Sequence, residues 1–459
     1  MGLWGAYQPA GASELSGYLL RDPGASLAAA IMANHGAIAN RDFAFPYGPL
    51  TLALQQIAQW LWKFGPGAMT ALQYSAALVF AWAAWKMIHR WDLEFPNLII
   101  LATLVYMVTI MSWPPIYELE PAVIIWVLLA QARARPAWAC MLCAVGVLIK
   151  PSMSYVLGAI ILVEWIAREK PWKMRRDLFF ILLLPLLLSA GLVLHFGWPG
   201  FWSMVSPWVG ARNYYALHYS FFSTTYNPWL IPGMRVGYFL GTPVLAWTFS
   251  LLLLLVVVAT TLWREKTVSP RLSVAITCCI ASLVFIAFFY GPPPSYIYYL
   301  SLPAIGIALV PLPGRGKSLV ALAAILLVIG NFSATRNDWN MWRQERVSTA
   351  TADLWAQPAI AAEWTTLWAL RARSRLSFIG TGSPRVIFPQ FGLPWHAYLV
   401  PGEATLRERE ILSDRLQSSR CVAIAPDFRL NHPPAALAAI RAHAPLIQAR
   451  LYDLYCHLK

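Results

Sequence analysis

The chain has 459 residues, of which 58% are hydrophobic and 12% are charged, and its mean hydropathy is +0.54. Soluble domains carry about 25% charged residues, so this chain cannot coat a water-facing surface of its size, and an ordinary soluble globular protein is excluded. The 35 basic and 21 acidic residues leave a net charge of +14. That charge suits nucleic acid or a membrane, and its distribution along the chain decides between them.

The N-terminal region is predicted to form a loop at a membrane surface. Two stretches with apolar residues at helical spacing, 26–39 and 50–64, flank the segment NRDFAFPYGPL of residues 40–50. Two interfacial helices, with aromatic residues and prolines between them, would hold a carboxylate rigidly at the lipid–water boundary. Asp42 is therefore a candidate functional residue at the outer membrane surface, and Tyr47 is a candidate for binding substrate beside it.

About ten apolar stretches follow this loop and are predicted to be membrane-spanning helices. Helices satisfy their own backbone hydrogen bonds, as hydrocarbon requires. Several stretches are shorter than the ~20 residues of a full crossing, so they must tilt or use flanking residues. Nothing before the loop resembles a signal peptide or a span, and we expect that a first helix is missing from this N-terminus. The predicted spans are 67–90, 96–113, 118–132, 136–149, 152–167, 178–197, 236–262, 272–291, 295–311 and 317–332.

The basic residues are concentrated in alternate loops, which predicts an orientation. The positive-inside rule places the basic loops in the cytoplasm. The extracytoplasmic loop of residues 1–66, the loop 198–235 and the tail then face outward, while residues 67–332 form the transmembrane domain. The charge is therefore read as a membrane orientation signal, and no nucleic-acid partner is predicted. The basic clusters lie at 86–90, 133–135, 168–176, 264–271 and 315–317.

Several outward ionisable and aromatic residues are candidates for substrate binding, because such groups are rare near a bilayer. Glu118 and Glu120 open the third predicted span and could bind acceptor hydroxyls or a divalent cation, although their spacing puts them on different faces of a helix. Lys150 ends a long apolar run just before Pro151 and is a further candidate. No protein metal site is predicted, and apart from that divalent cation no cofactor is named. The other candidates are Arg212, Tyr214, Tyr215, His218 and Tyr298.

The tail, residues 333–459, turns polar and is predicted to be a small soluble α/β domain. Helices are expected at 349–370 and 434–449, and short strands at 375–379 and 422–425. Cys421 and Cys456 lie in this outward tail, where a disulfide is permitted. The sequence leaves open whether they pair.

Four segments together resemble the GT-C superfamily of membrane glycosyltransferases. Residues 40–50 resemble its first extracytoplasmic loop, 117–121 (YELEP) an acidic start of the third span, and 148–152 (LIKPS) a Lys-Pro helix junction. Residues 296–303 (YIYYLSLP) resemble its late Tyr-rich span. The likeness covers about residues 26–335 in organisation, and the missing first span departs from the family.

The resemblance implies an all-α polytopic enzyme of a bacterial cytoplasmic (inner) membrane that takes part in building the cell envelope. Its donor would be a polyprenyl-phosphate sugar, and its acceptor a lipid, a glycan or a protein. In that family an aspartate of the first loop is the general base of an inverting hexosyl or pentosyl transfer, and Asp42 occupies the matching position. The lipid phosphate would leave toward cationic side chains, for which Lys150 and Arg212 are candidates.

Two other functions stay open at this point. One is a polysaccharide polymerase or ligase acting on polyprenyl diphosphates, which usually depends on arginines in large outward loops. The other is a transporter, which would place ionisable groups at the membrane midplane in repeated halves. Few outward arginines are present, the span interiors are nearly free of charge and no repeat is visible, so sugar transfer is preferred.

Overall fold

The structure is a computed structural model of the full chain. It describes residues 29–61 except 46, isolated positions between 75 and 89, 116–167, 175–206, 242–288 except 266, most of 302–307, 345–348, 353–356, 358–379, 405–424, 444–449 and 452–456. The predicted spans 96–113 and 317–332 lie outside the described residues, as do most positions of 67–90 and 295–311.

Seven long helices form the N-terminal part of the described structure. A short helix of residues 29–34 precedes them. Their bounds are Pro49–Leu61 (α1), Ile116–Ala132 (α2), Pro136–Ile149 (α3), Ser154–Ala167 (α4), Arg175–Val205 (α5), Thr242–Arg264 (α6) and Pro270–Phe288 (α7).

Local sequence explains several of these boundaries. Pro136 occupies the first turn of α3, where the missing N–H of proline would have no helical partner anyway. Lys150 caps the other end in an extended conformation, and its N–H donates to the Gly146 carbonyl. Pro151 then begins a 3-10 turn, Pro151–Met153, that leads into α4.

Helix α5 is interrupted near its C-terminal end. Gly197 has φ 70° and ψ 160°, which is not a helical conformation. A glycine adopts this backbone without steric strain, and Pro199 two residues later suits the start of a new helical segment. The last turns of α5, which carry Gly200 and Ser203, therefore leave the direction of the preceding helix.

The helices pack around one apolar core. Helix α3 contacts α1, α2, α4 and α5, while α7 packs on α2, α4 and α6. Val127 and Leu128 of α2 and Val274 and Cys278 of α7 are fully buried. A polar link crosses this core, where Gln131 Nε2 donates to Thr277 Oγ1 at 2.7 Å and to Ser273 Oγ at 3.1 Å.

The outer faces of three helices expose large apolar side chains. These faces belong to α4, α5 and α6 and carry leucine, isoleucine, valine and tryptophan. Among the described residues, one helical segment, Leu182–Val205, is long and apolar enough to cross a membrane, and five other apolar segments of 10–17 residues are shorter. The exposed residues include Ile161, Leu162, Trp165, Ile166, Leu183, Leu184, Leu186, Leu187, Leu194, Leu252, Val256, Leu262 and Trp263.

The described part of the tail is built on two small sheets. Strands Glu345–Ser348 (β1) and Asp353–Ala356 (β2) pair antiparallel. A mixed sheet has the order β3-β4-β6-β5, in which β3 and β4 are parallel and the other pairs antiparallel. Its strands are Leu376–Ile379 (β3), Cys421–Ile424 (β4), Ile447–Gln448 (β5) and Asp453–Cys456 (β6), and its helices are Pro358–Ser374 (α8) and Leu406–Ser418 (α9).

Two predictions for the tail are wrong in part. The helix expected at 349–370 is preceded by strand β2 and begins at Pro358, because proline opens a helix and disfavours helical geometry in the residue before it. The end of the helix expected at 434–449 is strand β5, which pairs with β6. Proline at position 445 cannot donate the hydrogen bond that a helix interior needs.

The strands expected at 375–379 and 422–425 are present as β3 and β4, and every side chain in both is buried. Such continuous burial explains why they read as short apolar runs. Cys421 of β4 lies opposite Cys456 of β6 and forms a disulfide with it, with the two Cα atoms 4.1 Å apart.

Candidate functional site

The loop that carries Asp42 is a tight, hydrogen-bonded turn between the helix of residues 29–34 and α1. Asn40 N–H donates to the Phe43 carbonyl at 2.7 Å, and Asp42 N–H donates to the Ile38 carbonyl at 2.9 Å. Asn40 has a φ of 59°, a left-handed conformation that asparagine tolerates better than most residues. The chain therefore reverses around Asp42 with a defined geometry.

The Asp42 carboxylate accepts three hydrogen bonds. Ile38 N–H donates to Oδ2 at 2.8 Å, Arg41 Nε donates to Oδ1 at 2.9 Å, and an Arg41 terminal nitrogen donates to Oδ2 at 2.6 Å. The Asp42 side chain is 23% exposed and that of Arg41 is 65% exposed. The carboxylate is thus held at the edge of the protein while remaining accessible.

Charge and hydrogen bonding favour the ionised form of this carboxylate. The side-chain hydrogen bonds from Arg41 lower the pKa of Asp42 below its ordinary value, and partial burial opposes them. The Ile38 N–H and the charges of Arg41 and Arg407 also lower this pKa. Arg407 belongs to α9, so the tail contributes positive charge near the loop.

Asn40 and Ser203 attach the loop to the displaced end of α5. Asn40 Nδ2 donates to the Ser203 carbonyl at 3.1 Å, and Ser203 Oγ donates to the Ala39 carbonyl at 3.0 Å. Asn40 Oδ1 also accepts the Phe45 N–H at 2.8 Å. Ser203 lies on the helical segment that follows the interruption at Gly197. The interruption therefore determines where α5 meets the loop.

Aromatic side chains attach the other side of the loop to the core. Phe43, Phe45 and Tyr47 are 1%, 2% and 9% exposed. Their rings pack edge to face in series, with centroids 6.3 Å apart for the first pair and 5.5 Å for the second. Because this geometry suits aromatic quadrupoles, the burial and the ring contacts together fix the backbone on both sides of Asp42.

The end of the loop is joined to the C-terminal end of α3. Gly48 N–H donates to the Ile149 carbonyl at 2.8 Å, and Thr51 Oγ1 donates to the same oxygen at 2.7 Å. The next residue, Lys150, is 2% exposed, and its Nζ lies 5.6 Å from the centroid of the Tyr47 ring. The loop of Asp42 and the Lys-Pro junction predicted to help bind substrate therefore lie in contact.

The outcome for the predicted site residues is mixed. Asp42, Tyr47 and Lys150 belong to one structural unit, although the two last are buried. Glu118 and Glu120 lie in the first turns of α2, and their side chains are outside the described part of the structure. Four loop residues and one late-span residue also lie outside it, namely Arg212, Tyr214, Tyr215, His218 and Tyr298.

Sequence reasoning did not identify several residues that shape the site. Ser203 contacts the loop from 163 positions away, and no local pattern reveals such a contact. Arg41 stands next to Asp42 in the sequence, and this adjacency is the signal that could have identified it as a site residue. Within the described ranges, no three His, Cys, Asp or Glu side chains come together as a metal-binding group.

A network of side-chain hydrogen bonds supports the helix that precedes the loop. Gln56 Nε2 donates to Asn34 Oδ1 at 2.8 Å, and His195 Nε2 lies 3.0 Å from Gln56 Oε1. Because a carbonyl oxygen only accepts, His195 must carry its proton on Nε2 in this arrangement. The network connects the helix of residues 29–34, α1 and α5.

Comparison of the chain with protein-family models, with curated proteins and with solved structures finds no match in any of the three.

Proposed function

We propose that the chain is a polytopic membrane enzyme that transfers a sugar from a polyprenyl-phosphate carrier to an acceptor hydroxyl, with Asp42 as the general base. The observation that carries this proposal is the fixed position of the Asp42 carboxylate, which is part-exposed and bound by the Arg41 guanidinium. The resemblance of residues 40–50 to the first loop of GT-C glycosyltransferases points to the same chemistry.

The exposed apolar faces support the membrane part of the proposal. Leu194 and Trp263 are 88% and 91% exposed, and contiguous apolar surfaces of this kind normally contact lipid or another protein. In a bilayer these side chains would face acyl chains. The orientation that follows from the basic loops places Asp42 and the disulfide-bonded tail at the outer surface, and an oxidising compartment suits the Cys421–Cys456 bond.

The hydrogen bonds of Asp42 leave capacity for a substrate. An ionised carboxylate offers about four lone-pair positions, and in the described structure three are occupied, two of them on Oδ2. One position on Oδ1 therefore remains for an acceptor hydroxyl. The side chain is also part-exposed, so an acceptor could approach it.

The proposed reaction is a single displacement. The acceptor hydroxyl oxygen forms a bond to the anomeric carbon while its proton passes to Asp42. The bond between that carbon and the phosphate oxygen breaks, and its electron pair leaves with the polyprenyl phosphate. Because the acceptor attacks opposite the leaving group, the anomeric configuration inverts.

The developing charge on the phosphate needs cationic partners. Lys150 stands at the motif-like junction, but its Nζ faces the Tyr47 ring and the residue is nearly fully buried. Arg41 binds Asp42 directly, whereas Arg407 pairs with Glu410 at 3.0 Å and adds positive charge at longer range. These contacts support Arg41 as a phosphate partner more directly than the lysine.

The experiment compares sugar transfer in membranes that contain the wild-type chain or the Asp42→Asn variant. A panel of radiolabelled polyprenyl-phosphate hexoses and pentoses serves as donors, and lipid-linked and glycan products are counted. Because general-base catalysis contributes about 10²–10⁴ in rate, the variant should lose at least about a hundredfold.

The control is Asp414→Asn, which removes an exposed carboxylate of α9 and should keep wild-type turnover. Equal turnover in wild type and Asp42→Asn would remove the catalytic assignment. Absence of transfer from every donor in the wild type would contradict sugar transfer itself.

A further inference from the structure

Arg41 stands in an unexpected relation to a general base. Its guanidinium donates to both oxygens of Asp42, at 2.9 Å and 2.6 Å. Hydrogen bonds of this kind favour the charged carboxylate and so make it a weaker acceptor of a substrate proton. An arginine that remained there during the reaction would hinder the base that it positions.

The contact has the properties of one that can be exchanged. The Arg41 side chain is 65% exposed, and exposed ion pairs contribute little net stability. Among the described residues, Asp42 is the acceptor that Arg41 binds. Asp42 itself keeps the Ile38 N–H as a second anchor, so the carboxylate would stay in place if the guanidinium left.

The ligand of the proposed function provides a stronger acceptor than the carboxylate. A phosphate matches the planar fork of a guanidinium and accepts two parallel hydrogen bonds. The charged groups that act on Asp42 in the described structure are Arg41 and Arg407, one from the loop and one from α9. Arg41 would bind a lipid phosphate here directly, whereas Arg407, which pairs with Glu410, would add attraction at longer range.

We propose that Arg41 exchanges Asp42 for the phosphate of a polyprenyl-phosphate ligand, so that binding of the lipid releases the carboxylate to accept the proton of the acceptor hydroxyl. This inference rests on the proposed function and deepens it, since it names the lipid-linked phosphate as the group that the loop recognises. Arg41 then acts as a phosphate-binding residue and as a switch for the base. Asp42 would reach its active state when the lipid is bound.

The exchange has a thermodynamic signature that needs no turnover. Asp42 and the phosphate compete for one guanidinium, so removing the carboxylate's charge should tighten phosphate binding by freeing Arg41. Simple charge repulsion between Asp42 and the phosphate would also weaken binding, but that effect does not require Arg41. A double-mutant cycle separates the two effects.

The experiment measures binding of farnesyl phosphate to the full-length chain in phosphatidylcholine nanodiscs by titration calorimetry at low salt. Wild type, Arg41→Gln, Asp42→Asn and the double variant form the cycle. Loss of a hydrogen-bonded charge pair should weaken binding to Arg41→Gln by about tenfold or more. Asp42→Asn should tighten binding several-fold when Arg41 is present and by less than about twofold in the Arg41→Gln background.

Two variants keep the result interpretable. Arg133→Gln removes an exposed arginine from the turn between α2 and α3 and should bind like wild type. Arg41→Lys keeps the charge without the planar fork, so it should bind more weakly than wild type and more tightly than Arg41→Gln. It also tests the inference if Arg41→Gln fails to fold, which the thermal melting of each nanodisc sample reports.

Three results of these titrations would overturn the exchange. They are unchanged binding in the Arg41 variants, equal tightening by Asp42→Asn in both backgrounds, and no binding of farnesyl phosphate to the wild type. Displacement of farnesyl phosphate by inorganic phosphate at a similar concentration would indicate a free-phosphate site and would also overturn it. If the double-mutant cycle shows the expected coupling but no membrane assay detects sugar transfer, only the proposed function is contradicted. If sugar transfer depends on Asp42 but the cycle shows no coupling, only the exchange is contradicted.

Discussion

Asp42 depends on its immediate neighbours for both position and charge state. Asn40 uses its left-handed backbone to turn the chain, and its side chain bonds to α5 on one side and to Phe45 on the other. Arg41 and the Ile38 N–H then determine where the carboxylate points. Replacing Asn40 by alanine would remove a side chain that tolerates the left-handed backbone and both of its hydrogen bonds. The position of the Asp42 carboxylate therefore depends on its neighbours as well as on the aspartate itself.

The pairing with Arg41 predicts how activity depends on pH. Arg41 lowers the pKa of Asp42, so the free enzyme keeps an ionised base to a lower pH than an isolated aspartate would. Removing the guanidinium in Arg41→Gln raises that pKa, and a larger fraction of Asp42 is protonated at any acidic pH. We expect the acid limb of kcat/KM to move to higher pH in this variant, measured with membranes across the pH range in which they stay intact.

The pH dependences of kcat/KM and kcat distinguish an Arg41 that stays on Asp42 from one that leaves it when substrate binds. The pH dependence of kcat/KM reports the free enzyme, and that of kcat reports the complex with substrate. If Arg41 has moved to the phosphate in the complex, the acid limb of kcat should be nearly the same in wild type and Arg41→Gln. Equal shifts of both limbs would contradict the exchange, and Arg133→Gln should shift neither.

Some residues of the site could be recognised from the sequence and others could not. Asp42 was recognisable because an isolated carboxylate between two amphipathic stretches is unusual in so apolar a chain. Ser203 and Arg407 were not, since their relation to the loop depends on how helices pack and how the tail folds. Lys150 was predicted as a phosphate ligand, whereas in the structure its ammonium group lies against Tyr47.

At the scale of elements, helix boundaries could be predicted where a proline coincides with the end of an apolar run. The span predicted at 136–149 matches α3, because Pro136 opens it and the Lys150-Pro151 junction ends it. The tail was harder, since strands β1 (ERVS) and β2 (DLWA) mix polar with apolar residues, whereas the equally short β3 and β4 are mostly apolar. Short strands are held by cross-strand partners, and their own sequence carries little periodic signal. Helix α9 was missed although Thr405 and Glu408 form a capping box at its start.

Gly48 is the point where the loop and α3 come closest, and it provides a test at this scale. A Cβ at this position would overlap the Leu148 carbonyl oxygen, so Gly48→Ala must push the loop away from the end of α3. Overpacking of this kind costs about 1–3 kcal/mol or more. We expect a clear fall in the melting temperature of the purified protein and a loss of Asp42-dependent transfer.

The matched control is Gly158→Ala on α4. A Cβ there meets nothing within 4 Å, and alanine favours a helix over glycine by about 1 kcal/mol. This variant should be as stable as wild type or slightly more stable. Equal melting temperatures for Gly48→Ala and wild type would show that the contact between the loop and α3 is absent in the protein.

At the scale of the whole molecule, the distribution of charge, apolar surface and cysteine is mutually consistent with one orientation. Arg133 lies in an exposed turn between two apolar helices, where a cytoplasmic position is expected. The tail carries a disulfide that suits the opposite side of the membrane. The charge of Arg407, a tail residue, acts on Asp42, so Asp42 is expected on the same side of the membrane as the tail. The proposed chemistry requires that this is the outer side.

Cysteine labelling tests this orientation directly. The six native cysteines comprise the Cys421–Cys456 disulfide and four thiols, three of them buried and Cys140 half-buried, so the wild-type chain should label weakly with a membrane-impermeant maleimide. Asp414→Cys, on the exposed face of α9, should react in intact cells, whereas Arg133→Cys should react only after the membrane is permeabilised. The reverse pattern would place Asp42 on the cytoplasmic side and contradict the proposed enzyme. Equal reaction of both positions in intact cells would contradict the membrane orientation from which the proposal starts.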